Sequence, residues 1–135
     1  MSTTDRQESN QGSMYDWIGG EEGVRKLVAR FYQLMDQEPS AKNIRAMHKA
    51  DLSAIKTGLF EYLSGWLGGP PLYVKKHGSP CITKPHMPFK IDSAAAEAWM
   101  HCMTKAMEDV SIEKKYRDML TPAFQRMCDT LINTN

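Results

Sequence analysis

The chain has no run of about eighteen apolar residues, the length a membrane helix needs, and its opening, MSTTDRQESNQGS, lacks the apolar core of a secretory signal. Both absences make a membrane partner unexpected and the cytoplasm the expected location. Cysteine is scarce: Cys81, Cys102 and Cys128 form no C-x-x-C and cannot all pair with one another, which excludes a disulfide framework and points to reduced thiols. Charge of either sign is not in surplus. Seventeen basic residues against sixteen acidic ones leave +1, so no net field is expected to draw the chain to nucleic acid or to an acidic surface, and charge by itself proposes no partner. The signatures of phosphate loops, dinucleotide-binding turns, nucleophile elbows and helical zinc proteases are missing, as are strand-like alternation, internal repeats and low-complexity blocks.

What is present is a helical period. A length of 135 residues, 41% hydrophobic and 24% charged, fits one ordinary globular domain with room for a core and a cofactor. Residues 1–13 are polar and aperiodic, so a flexible tail is expected there, with the domain spanning 14–135. After a short helical piece at Tyr15–Ile18 and a turn at Gly19-Gly20, apolar residues recur in steps of three and four from Val24 to Met35. That is the stripe of one helix, ending near Pro39. A second helix is expected from a cap at Asp51 through Leu52, Ile55, Leu59, Leu63 and Trp66 to the breaker at 68–71. Asp92 caps a third, whose buried face is Ala95, Trp99, Cys102, Met103, Ala106 and Val110. A fourth runs from Ile112 to Ile132, with a kink or restart expected at Thr121-Pro122.

Between the second and third helices, Pro70, Pro71, Pro80, Pro85 and Pro88 deny the chain any long helix, and a long loop with about one helical turn is expected. It carries His77 and His86. Read by itself, a histidine in such a loop is more often structural than a ligand, and His77, Cys81 and His86 make a poor zinc site because a fourth ligand and a tight paired spacing are lacking. Ten methionines read as filler for an irregular core.

The order of features is nevertheless specific: Tyr15-Asp16-x-Ile18-Gly19-Gly20, Phe31-Tyr32, Gly68-Gly69-Pro70, Tyr73, His77-Gly78-x-Pro80, His86-x-Pro88-Phe89-x-Ile91, then Trp99. Over residues 14–134 this pattern resembles the truncated globins, and among them the second group. The resemblance implies an all-α two-over-two helical sandwich around a haem b, with a long irregular loop before the proximal histidine. It also implies a reversible ligand such as dioxygen, carbon monoxide or nitric oxide, in a monomer or weak homodimer. The alternative it carries is a haem enzyme that oxidises nitric oxide or turns over peroxide with help from a reductase.

By position in that pattern, His86 is the expected iron ligand. Trp99 and Tyr32 are the expected hydrogen-bond donors to the gas, and Ile55 and Leu59 wall the pocket where many globins carry a distal histidine. His48 stands about where the family usually has a tyrosine and is a third expected distal group. Tyr73, Lys84 and Phe89 are expected to contact the porphyrin, Lys84 through a propionate. Periodicity alone would read Tyr32 and Trp99 as plain core. His77 and His101 are expected to be exposed or structural.

Overall fold

The computed structural model describes residues 12–134, so the expected tail falls outside the described residues except for Gly12 and Ser13. Ser13 belongs to the fold. Its hydroxyl accepts the Asp16 backbone N–H while the Asp16 carboxylate accepts the Ser13 N–H, a reciprocal cap that starts helix α1, Met14–Trp17. The chain then turns through Gly19, at φ 113°, into helix α2, Gly20–Gln37.

Helix α2 buries Val24, Leu27, Val28, Phe31, Tyr32, Leu34 and Met35, the stripe read from the sequence. Glu21 and Glu22 sit in its first turn, where the helix dipole favours them, and pair with Arg25 and Lys26. It stops at Gln37 because Glu38 precedes Pro39 and takes the extended conformation that proline imposes on its neighbour. A 3-10 turn, Pro39–Ala41, leads into the short helix α3, Lys42–Ala46.

Helix α4, Ser53–Trp66, begins two residues after its expected cap. Asp51 still acts at that end, since its carboxylate accepts both the backbone N–H and the hydroxyl of Ser53 at 2.9 and 2.7 Å. The helix ends where Gly68 takes φ 94°, and the buried Ser64 hydroxyl donates to the Pro70 carbonyl at 2.7 Å. The proline-rich stretch holds more helix than the single turn expected. Pro70 and Pro71 introduce α5, Leu72–His77, and Pro85 lies within α6, Thr83–His86, because proline costs nothing in a first turn, whose N–H groups have no partner anyway.

Helix α7, Ser93–Asp109, is capped by Asp92, whose carboxylate accepts the Ala95 N–H at 2.8 Å. Helix α8, Lys114–Leu131, runs unbroken through Pro122, where a kink or restart was expected. Pro122 and Asp118 are both exposed, so the carbonyl deprived of its partner meets water.

Helix α2 packs on α4 and α7, and α7 packs on α8, so the four long helices form two crossed pairs, the two-over-two sandwich. Phe31, Leu63, Met103, Met107 and Phe124 are fully buried where the pairs meet. Among the described residues there is no strand, and no helix is long and apolar enough to cross a membrane.

One close approach fixes how α1 enters this frame. A Cβ added at Gly23 would lie 2.0 Å from the Ile18 carbonyl oxygen, a backbone atom that cannot swing aside. Gly23→Ala is therefore expected to destabilise the fold by about 1–3 kcal/mol, read as a lower urea midpoint with an unchanged slope; an unchanged midpoint would mean that the entry of α1 is free to shift.

Candidate functional site

The helices leave one large apolar cavity, of about 310 Å³, between α2 and α4 on one side and α6, α7 and α8 on the other. A single helical domain of this size does not leave such a space open in a close-packed core by accident. The expected residues His86, Tyr73, Phe89, Leu59, Trp99, Tyr32, His48 and Ile55 all line it, though up to 67 positions apart in sequence. Lys84 does not. It is exposed on α6, outside the lining, and makes no ion pair among the described residues. Sequence reasoning missed Met47, Tyr62, Met127, Cys128 and Leu131, which also face the cavity; for the α8 residues the helical period signalled burial but not what they are buried against.

His86 ends the short helix α6, and its Nδ1 lies 2.6 Å from the Ile82 carbonyl, one helical turn back. A carbonyl only accepts, so Nδ1 carries the hydrogen, and in the neutral ring Nε2 keeps its lone pair. This is the neutral tautomer that a metal-binding imidazole needs, with its outer nitrogen already anchored. Two further contacts steady the loop after it. The Asn133 side-chain amide donates to the Phe89 carbonyl at 2.8 Å and accepts the Ile91 N–H at 2.9 Å, so the far end of the chain clasps the cavity rim.

Across the cavity, Tyr32 is buried on α2 and Trp99 projects from α7. Phe31 packs against the latter with the rings tilted by 57° and 5.0 Å between centroids, and Phe124 supports it at 5.6 Å. Neither the Tyr32 hydroxyl nor the Trp99 indole N–H has a partner among the described residues, and neither is a buried orphan, so both donors touch open space. Burial pushes the Tyr32 phenol well above its ordinary value, which keeps it a neutral O–H donor. His48 repeats the arrangement at His86, with Nδ1 2.8 Å from the Ile44 carbonyl.

The Tyr73 hydroxyl donates to the Cys81 carbonyl at 3.3 Å and so ties α5 to the start of α6. His77 lies exposed against the Tyr73 ring, and His101 pairs with Glu38 on the surface. All three cysteines are free thiols; burial pushes Cys128, on the cavity wall, up to about 12 and Cys102 up to about 11, so both are neutral. Among the described residues no group of three or more His, Cys, Asp and Glu side chains could hold a metal ion unaided.

An imidazole on the wall of a large, mostly apolar space, with no group of three or more His, Cys, Asp and Glu side chains among the described residues to complete a metal site, suits a metal that brings its own remaining ligands, and a flat macrocycle fits that space. Gly58 agrees: mid-helix in α4 and lining the cavity, it has nothing within 4 Å of an added Cβ, so bare backbone faces the opening. The model of the family described as bacterial-like globin matches residues 13–133. The chain belongs to the bacterial-like globins, among the group II truncated haemoglobins. It is 34% identical over 114 residues to the group 2 truncated hemoglobin YjbI of Bacillus subtilis, covering 84% of each chain. Its fold matches the cold-adapted truncated hemoglobin of Pseudoalteromonas haloplanktis with a TM-score of 0.88 and 39% identity over 92% of this chain and all of that one. The group II hemoglobin of Agrobacterium tumefaciens gives 0.87 and 38%, over 92% and 96%. As a globin the chain carries a haem and binds gaseous ligands such as dioxygen.

Proposed function

We propose that this globin binds dioxygen tightly at a haem b held by His86, and that it retains or consumes the gas and does not deliver it. The tautomer of His86 carries the reading: Nδ1 is committed to Ile82, so Nε2 is the one strong donor atom on its side of an otherwise apolar wall. No C-x-x-C-H occurs, so the porphyrin is held by burial and one axial bond without thioether links. The haem supplies a reducible iron with one coordination position open to a diatomic gas. Phe89 and Leu59 pack its faces, and Lys84, exposed near the loop, reaches for a propionate. The free thiols, Cys81 exposed among them, suit a reducing cytoplasm.

Tyr32 and Trp99 would each offer a hydrogen-bond donor to a gas held beside them, and a hydrogen bond to an acceptor of partial negative charge is worth about 1.5–3 kcal/mol. Two of them slow release by about a hundredfold or more, since 1.4 kcal/mol is a factor of ten. Retention on that scale suits scavenging, or oxidation of nitric oxide by the held oxygen. His48 acts differently. With Nδ1 held by Ile44, its neutral ring accepts at Nε2 and donates there only as imidazolium. Ile55 completes the wall without a polar group.

His86→Ala is expected to lose most haem affinity, read as a weakened Soret band after titration with hemin, while His77→Ala keeps the band. An unchanged five-coordinate ferrous spectrum in His86→Ala would overturn the assignment. Trp99→Phe keeps bulk but removes the donor, so oxygen dissociation is expected to rise about ten- to a hundredfold, with carbon monoxide, a poorer acceptor, changing less; equal changes would mean that Trp99 acts by shape. His48→Tyr replaces an acceptor by a neutral O–H donor and is expected to slow oxygen release at neutral pH, whereas faster release would show that the native imidazole already donates.

A further inference from the structure

The net charge of +1 conceals a segregation. Residues 42–56 and 72–90 hold eight of the seventeen basic residues and one of the sixteen acidic ones, so these two segments stand at +7 and all other residues together at −6. They also line the cavity from opposite sides, the first through Ile44, His48 and Ile55, the second through Tyr73, His86 and Phe89. Ile55 and Phe89 are 41% and 43% exposed while lining it, which marks its mouth. Lys56 follows Ile55, Lys90 follows Phe89, Lys49 follows His48 and Lys84 precedes Pro85, so four exposed lysines stand next in the chain to lining residues, and Lys75 is exposed on α5 two residues after the lining Tyr73. Among the described residues of these segments only Arg45, with Asp36, and Lys76, with Glu61, pair with an acid.

A haem seated in the cavity brings two propionates, which cancel two of these charges and leave five. On the same second segment Val74 and Met87 are 38% and 66% exposed and lie outside the cavity lining. An apolar centre with a charged rim is the anatomy of a protein interface. Its position at the mouth is where a partner comes nearest to the cofactor.

We propose that this face docks an acidic one-electron carrier protein, which returns the iron from the ferric to the ferrous state. The inference rests on the haem reading above. The carrier gives up one electron, the iron takes it, and no bond or proton has to move. Such encounters bury little surface, below about 1,200 Å², and their rate is set by charge steering.

The test uses the haem-loaded ferric protein and a reduced [2Fe–2S] ferredoxin of strongly acidic surface, mixed by stopped flow. The second-order reduction rate is expected to fall about tenfold or more between about 20 and 300 mM salt, as screening shortens from about 20 to about 6 Å. Lys75→Glu with Lys90→Glu is expected to lower the low-salt rate about tenfold and to flatten the salt dependence. Lys26→Glu with Lys105→Glu, an equal charge change on α2 and α7, leaves both as they were. Reduction by dithionite, unchanged in every variant, shows that the haem is intact. A rate indifferent to salt and to Lys75 and Lys90, with a normal Soret band, overturns the docking face and leaves the haem reading standing; absence of any Soret band overturns the haem reading itself. Salt-sensitive binding of a single-stranded 20-mer DNA that exceeds binding of the ferredoxin also overturns the proposal, in favour of a nucleic-acid surface.

Discussion

One hydrogen bond, from His86 Nδ1 to the Ile82 carbonyl, decides what the cavity can hold. An imidazole at a loop end has two nitrogens and several rotamers, and only one combination offers a lone pair to a metal inside. Closing a single turn of helix over Thr83–His86 brings a carbonyl under the ring and selects that combination before any cofactor arrives. The price is that the turn must form in a stretch broken by prolines on both sides, and the fold meets it with tethers. Tyr73 reaches the Cys81 carbonyl just ahead of α6, and Asn133 holds Phe89 and Ile91 just after it. A ligand set on a weak element is thus steadied from two strong ones, α5 on α4 and the end of α8.

The same bond repeated at His48 has the opposite meaning, because the two rings stand on different walls. In the proposed function, the Nε2 lone pair of His86 holds the metal, whereas at His48 the same bond removes a donor from the wall that carries Tyr32 and Trp99. Both of those are rigid rings locked by aromatic neighbours: Tyr32 by Phe31 at 4.9 Å, Trp99 by Phe31 and Phe124. A ring held in place keeps its polar atom at the cavity wall at little further entropic cost. The absence of protein partners for these two groups is therefore informative, since a polar hydrogen near a core is otherwise almost always satisfied.

The long helices were legible because their apolar residues recur at 3.6, and burial largely follows the period: Val24 to Met35 lie inside as read, as do Cys102, Met103 and Ala106, whereas Ala95, Trp99 and Val110 are half-buried and Ala96, Ala98 and Met100 take their place inside. The short helices α5 and α6 were not, since proline reads as a breaker and only its place in a first turn makes it harmless. At Pro122 the helix continues without a restart, the orphaned carbonyl falling at an exposed position. Eight of the nine expected site residues converge on one cavity, but what drew them together in the sequence was the family pattern; spacing alone could not show that Tyr32, on α2, and His86, on α6, face each other. Lys84 fell outside because a loop lysine has no periodicity to fix its direction. The tautomer locks depend on which carbonyl lies one turn back, a matter of local helix and not of composition.

Tight gas binding and segregated charge bear on one another through rate. A site that releases oxygen slowly cannot cycle by dissociation, so any cycle it completes must end in chemistry that leaves the iron ferric and in need of an electron. If the gas step is fast and the ligand is held, the slow step becomes the arrival of that electron, and arrival is the one step a surface field can accelerate. On the proposed reading Tyr32, buried on α2, and Trp99, half-buried on α7, act on the gas step, and the exposed lysines of the two basic segments act on the electron step of the same cycle. This accounts for a segregation that packing does not require: exposed lysines contribute little to stability wherever they stand, and twelve or more helical turns of surface were available for them elsewhere, at about 3.6 residues a turn.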